Sequence, residues 1–273
     1  MRMQKNDVIV CRLKRLPRNM LVEAARTATA INPLNHPRMD QLAGLMRGFR
    51  ASPRRIAVMT TSYWGSAGVK LAVGFLDTPP ADLRKRILLH MNAWNRDANI
   101  RFVAGNTDPQ VRISRVGGKE GGYWSYVGTE ILHIPNAEAT MNLEEFTMET
   151  PEAEFHRVVR HEAGHTLGFP HEHMRRALVN KIDRRKAIAY FQRMDGWTAR
   201  ETLDQVLTPI EEAAIRGTLA DPKSIMCYQI PGEITKDGKP ITGGLNIDES
   251  DYQFAGQIYP KKAAPRKRSA KTK

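Results

Sequence analysis

HEAGHTLGFPHEH, residues 161–173, holds four histidines and two glutamates in a chain with eight histidines in all. Burying so many polar side chains without partners costs several kcal/mol, and a solvated surface gains nothing from crowding them. The stretch therefore reads as a binding site. His161 and His165 are four residues apart, so on a helix they stand one turn above each other on one face. Two imidazoles placed in this way reach a single ion, and imidazole suits zinc. Glu162 points to a neighbouring flank, where it can hold a water beside the metal and act as a general base. Gly168 can take positive φ at the helix end, and Pro170 prevents the helix from resuming. His171 then returns as a third ligand. Three protein ligands leave one coordination position open, which marks a catalytic rather than a structural metal site.

The full pattern H-E-x-x-H-x-x-G-x-x-H fixes five positions, and a chance match at a given position is roughly one in ten million on average residue usage. The helix that carries it is expected to begin at Thr150 as N-cap with Pro151 in the first turn. Phe155, Val158, Val159, Ala163 and Thr166 form the stripe that should face the core, with the histidines on its flank.

A second pattern lies downstream in DPKSIMCYQ, residues 221–229. Together with the zinc pattern, Ser224-Ile225-Met226-Cys227-Tyr228 resembles the methionine turn of metzincin metallopeptidases. Glu172, directly after the third histidine, is similar to the astacin group within them. The resemblance covers roughly residues 55–260. It implies a zinc-dependent endopeptidase with one Zn2+ per chain, acting on protein or peptide substrates. It implies an α+β fold, with a mixed twisted sheet, two long helices over a cleft and a smaller irregular lower subdomain. Met226 would form a hydrophobic floor below the metal, and Tyr228 would stabilise the oxyanion. Glu172 would contact a new N-terminus exposed when a pro-segment is removed. Relatives of this kind commonly carry such a segment, which crosses the cleft and offers the metal a side chain. Residues 1–54 are read first as a permanent helical extension packed on the catalytic domain; the other reading is such a pro-segment, with Cys11, Asp7 and Asp40 as possible blocking ligands. The chain departs from secreted astacins in having only two cysteines, Cys11 and Cys227, so at most one disulfide could form.

Composition agrees with a globular protein: 41% of residues are hydrophobic and 26% charged. No run approaches the roughly eighteen apolar residues of a membrane span. The N-terminus has no recognisable signal peptide, so a cytoplasmic location is the default expectation, with signal-independent export as the alternative. The net charge of +13 is uneven. Residues 1–54 carry +8 and the tail 261–273, KKAAPRKRSAKTK, carries +7, leaving −2 for residues 55–260. The tail reads as a disordered basic terminus; attraction to nucleic acid or an anionic surface is a secondary reading.

Elsewhere, periodicity predicts helices over 19–30, from Thr78 through Trp94, over 183–193 and 198–206, and a closing helix over 248–260 capped by Asp248 or Ser250. Strands are expected at 70–77, 110–116 and 131–135. The segment 110–116 should be half-buried; the metzincin resemblance makes 131–135 the candidate for the edge strand that pairs with substrate, with an ordinary internal strand as the equal alternative. The glycine-rich stretch 117–128 reads as a loop, and His133 as no ligand.

Overall fold

The computed structural model describes residues 11–37, 60–105, 107–210 and 220–261. Asp7 and Asp40 lie outside these residues, as do most of the basic tail and part of the N-terminal extension. The architecture is the expected α+β one. Six strands form one mixed sheet: β1 (Cys11–Leu13), β2 (Val69–Phe75), β3 (Ile100–Ala104), β4 (Val111–Ser114), β5 (Tyr123–Ser125) and β6 (Met141–Leu143). Their order across the sheet is β1-β5-β6-β4-β2-β3, and every pairing is parallel except β5 with β6.

The helices are α1 (Leu21–Ile31), α2 (Ala81–Met91), α3 (152–166), α4 (Arg184–Asp195), α5 (199–207) and α6 (Glu249–Ile258). Helices α2 and α3 are the two that cover the sheet. Leu83, Ile87 and Met91 from α2 and Phe155, Val158, Val159 and Ala163 from α3 bury into one core with the strand residues Leu71, Val73 and Ile113. The core stripe expected on α3 is thus in place, with Thr166 buried as well. A second apolar cluster, built on Tyr190, Phe191, Trp197 and Ile230, forms the lower part. The zinc-pattern residues lie between the two clusters.

Several expectations are corrected. Helix α3 begins at Glu152 with Pro151 as an uncapped start; Thr150 instead turns its hydroxyl back to accept from the Thr147 amide at 3.0 Å. The middle of α3, Phe155–Val159, is wound as a π-helix. The strand at 110–116 is not half-buried: all four residues of β4 are inside, because it lies between β2 and β6. Residues 131–135 form no strand. Residues 131–133 end a 3-10 turn, Gly128–His133, whose Gly128 takes φ +50. The strand that borders the cleft is β5, inside the stretch expected to be a loop. Three residues bounded by glycines are too short for alternation to reveal. The closing helix has its expected cap: the Asp248 carboxylate accepts from the Asp251 amide at 2.9 Å.

Candidate active site

Helix α3 ends where the sequence requires. Gly168 adopts φ +94, the Gly168 amide donates to His165 at 2.8 Å and that of Phe169 to Gly164 at 3.0 Å. This left-handed closure reverses the chain and brings His171 back against the helix. The rings of His161, His165 and His171 then converge, with centroids 4.4–5.3 Å apart. All three are buried.

The outer nitrogens of His161 and His165 are fixed, while His171 Nδ1 has no hydrogen-bond partner among the described residues. His161 Nδ1 meets the Ile225 carbonyl at 2.6 Å and His165 Nδ1 meets the Phe169 carbonyl at 2.7 Å. A carbonyl only accepts, so both Nδ1 atoms carry the proton and both Nε2 atoms present lone pairs inward. His161 Nε2 has no hydrogen-bond partner among the described residues, and His165 Nε2 stands 2.9 Å from His171 Nε2. Facing lone pairs repel unless a cation or proton lies between them. Burial pushes the His161 pKa down to about 4 and those of His165 and His171 well below the usual histidine value. Neutral, inward-facing nitrogens in a closed cluster are the donor set of a metal site.

A fourth donor joins them. The Cys11 sulfur and one nitrogen from each histidine lie within 4.8 Å of one another. Cys11 is fully buried, and both it and Cys227 are free thiols. Strand β1 carries Cys11 there. It adds itself in parallel to β5, pairing Cys11 with Tyr123 and Leu13 with Ser125. Its other side is strapped by one side chain: Gln205 accepts from the Leu13 amide at 3.0 Å and donates to the Leu13 carbonyl at 3.2 Å.

Glu162 is fully buried beside the cluster. Its Oε2 accepts from the Ser125 hydroxyl at 2.5 Å, while Oε1 is buried with no hydrogen-bond partner among the described residues. Burial pushes its carboxyl up to about 7, against the pull of Cys11 and Ser125. Tyr228 stacks on His173 with centroids 4.0 Å apart and lies 4.4 Å from His171. Its hydroxyl has no hydrogen-bond partner among the described residues.

Met226 is buried beneath α3, its sulfur in the space a side chain at Gly164 would need. Asp251 of α6 holds that turn, accepting from the Ser224 hydroxyl at 2.6 Å and the Ile225 amide at 2.9 Å. Glu172 accepts from the Asp221 amide at 3.1 Å and faces Arg175; burial raises its carboxyl to about 7. A further trio, His90, Glu152 and His156, also brings ligand atoms together. Arg86 there holds Glu152 at 2.7 Å and Arg160 faces His90 at 3.4 Å, and two guanidinium neighbours disfavour a cation.

The structure thus gathers His161, His165, His171, Glu162, Tyr228 and Met226 at one place, with Glu172 beside the methionine turn. Sequence reasoning missed Ser125, Asp251, Gln205 and the packing of His173. The first three are ordinary polar residues far from the pattern, and only the fold brings them in.

Residues 60–230, more than half of the chain, match the sequence model of the astacin family of peptidases. The chain belongs to the astacin family. Among solved structures, two of myroilysin are similar at 29% identity. One superposes with a TM-score of 0.69 over 74% of this chain and 97% of the other. The second gives 0.56 over 73% and 86%. High choriolytic enzyme 1, a hatching enzyme zinc-protease from the medaka fish Oryzias latipes, shares 18% identity. It covers 72% of this chain and 94% of its own with a TM-score of 0.50, a likeness of fold. No curated protein sequence matches the chain. The protein is an astacin-family metallopeptidase, so its substrates are proteins or peptides. Among the described residues no helix is long and apolar enough to cross a membrane.

Proposed function

We propose that the chain is a zinc endopeptidase whose cleft, in this state, is closed by its own N-terminal segment. The observation that carries the reading is the cluster of three neutral imidazoles with Cys11 as fourth donor. His161, His165 and His171 would hold one zinc ion per chain, and Cys11 the remaining position. Zinc, when bound, polarises the scissile carbonyl and makes a neighbouring water acidic near neutral pH.

The chain's own residues do the rest. Glu162, whose Oε1 is left without a hydrogen-bond partner among the described residues, takes the proton of the attacking water and passes it to the leaving amine. The Ser125 hydroxyl keeps the other oxygen occupied and so fixes the carboxylate's orientation. Tyr228 has a buried hydroxyl with no hydrogen-bond partner among the described residues, beside His171, and can donate to the developing oxyanion. Tyr228→Phe should lower kcat by about ten- to a thousandfold with little change in KM. A pure rise in KM would assign it to substrate positioning instead.

An extended substrate needs the place that β1 takes on β5, so residues 11–16 block binding as well as the metal position. This favours the latent reading of residues 1–54 over a permanent extension. Glu172, which faces Arg175 here, would be available to a new N-terminus after removal of the segment. The test compares the full chain with Cys11→Ala on one peptide, with metal content measured. We expect one zinc in both and at least tenfold faster, chelator-sensitive cleavage by the variant. Equal rates would remove the latency; absence of zinc from both would remove the metal site.

A further inference from the structure

The contacts that hold residues 11–18 show what the cleft is built to receive, a reading that rests on the latent arrangement proposed above. The segment C-R-L-K-R-L-P-R puts Cys11, Leu13 and Leu16 inside and leaves Arg12 and Arg15 exposed. Its cations meet carboxylates of the peptidase domain. Lys14 Nζ lies 3.5 Å from Glu120 and Arg15 lies 3.8 Å from Glu130, while Arg12 acts on Glu201 through space. Glu120 is two-thirds exposed, and an exposed pair of this kind fixes little.

Glu130 is different. Its side chain is only 10% exposed, and its Oε2 is buried with no hydrogen-bond partner among the described residues. The turn that carries it is rigidly seated, with the Thr129 amide donating to the Ser62 carbonyl at 2.9 Å. The contacts that favour its charge come from the segment itself, the Arg15 guanidinium and the Leu16 amide, against burial that pushes its carboxyl up. When the segment leaves, a fixed carboxylate remains at the cleft wall without either partner. A cation with donors of its own can take the place of both.

We infer that Glu130 is a specificity-determining residue that takes a lysine or arginine side chain of the substrate, and that Arg15 occupies this subsite in the latent chain. Arg15 follows Cys11 by four residues, about 13 Å of extended chain. The substrate's cation therefore falls three to five residues from the bond that is cut. The charge balance agrees: the peptidase region carries −2 against +8 for residues 1–54.

The test uses the full chain carrying Cys11→Ser and Arg15→Ala, which frees the metal position and the subsite. Peptide sets identical except for Arg, Gln or Glu at each position three to five residues from the cut, on either side, are compared by kcat/KM. At one of these positions Arg should exceed Glu by at least tenfold, mainly through KM. Adding Glu130→Gln should reduce that ratio to about threefold or less, and Glu130→Lys should invert it. Equal cleavage of the Arg and Glu peptides, or a preference that survives both substitutions, overturns the subsite. Should the Glu130 variants fail to fold, competition decides on the parent. A short Arg-containing peptide must then inhibit at a concentration at least tenfold below its Glu counterpart, and equal inhibition overturns the subsite. If the metal-loaded parent cleaves no peptide at all, the peptidase reading falls and the subsite with it. If the unsubstituted chain is as active as the parent, only the latency is lost, and Arg15 as occupant goes with it.

Discussion

Strand β5 has two neighbours of three residues each, and they are held by different physics. On one side, β6 is buried throughout. Its Asn142 is fully enclosed, donating to the Val116 and Gly122 carbonyls at 3.0 and 2.7 Å and accepting from Ser114 and the Val116 amide at 2.7 and 3.0 Å. On the other side, β1 alternates buried and exposed residues and is strapped by Gln205, with cations flanking it on the surface. A saturated buried polar network is costly to open, because each group left unpaired keeps its desolvation penalty. An edge strand of three residues, with a short ladder to β5, two buried side chains and one amide bridge on its outer side, has no such network to break on leaving. Strand β6 belongs to the scaffold; in the proposed latent arrangement β1 is an occupant of the cleft.

If that contrast holds, substitutions on the two sides should affect different observables. The largest effect is expected where both sides meet the chemistry. Glu162→Gln, introduced into the Cys11→Ala chain, should lower kcat by about 10²–10⁴ with the metal retained. Survival of turnover there would show that the activity gained by freeing β1 arises elsewhere. Next comes Cys11→Ala itself, expected to raise activity at least tenfold. The midpoint of thermal unfolding, measured on the metal-loaded protein, should change by only a few degrees. A collapse of the melting temperature instead would make β1 part of the scaffold and erase the comparison.

Asn142→Ala should do the reverse. Leaving several buried groups unpaired costs about 1–3 kcal/mol per strongly affected group, and each kcal/mol lowers Tm by about 2–4 °C in a domain of this size. Calorimetry should show that loss, while the activity ratio between the full chain and its Cys11→Ala form stays unchanged. A large change in that ratio would mean that β6 also controls access.

The same contrast explains what the sequence could and could not reveal. The metal cluster was legible because its residues are local: a four-residue helical step, a glycine that takes φ +94 and a histidine three residues beyond it place all the imidazoles. The helices α1, α2, α4 and α6 were legible from periodicity and, for α6, from a capping aspartate. Strand β5 was not. It is three residues between glycine-rich turns, and it is a strand because β1 and β6 pair with it. Residues 131–135 looked like a strand from their apolar composition, but Gly128 and the Thr129 bond to Ser62 turn the chain into a 3-10 helix. Ser125 and Asp251 reach the site from 37 and 26 residues away in sequence, where no local pattern can signal them.

Gln205 gives the mildest and sharpest test of the two-sided picture. Its side chain is the bridge from α5 to both backbone groups of Leu13, while its own backbone carbonyl faces His173 Nε2 at 3.0 Å. Substitution by alanine removes the bridge and leaves the carbonyl in place. Both bonds are part-buried rather than enclosed and can be exchanged for water, so the cost should be near 1 kcal/mol for the strapped state. That cost falls on the closed form alone, which raises the open fraction, and with it the activity of the full chain, about fivefold. In the Cys11→Ala chain, where β1 is already loosened, the same substitution should add less than twofold. A fivefold gain in both backgrounds would place Gln205 in substrate binding rather than in restraint. No gain in either would mean that the thiol alone closes the cleft and that the strand merely follows it.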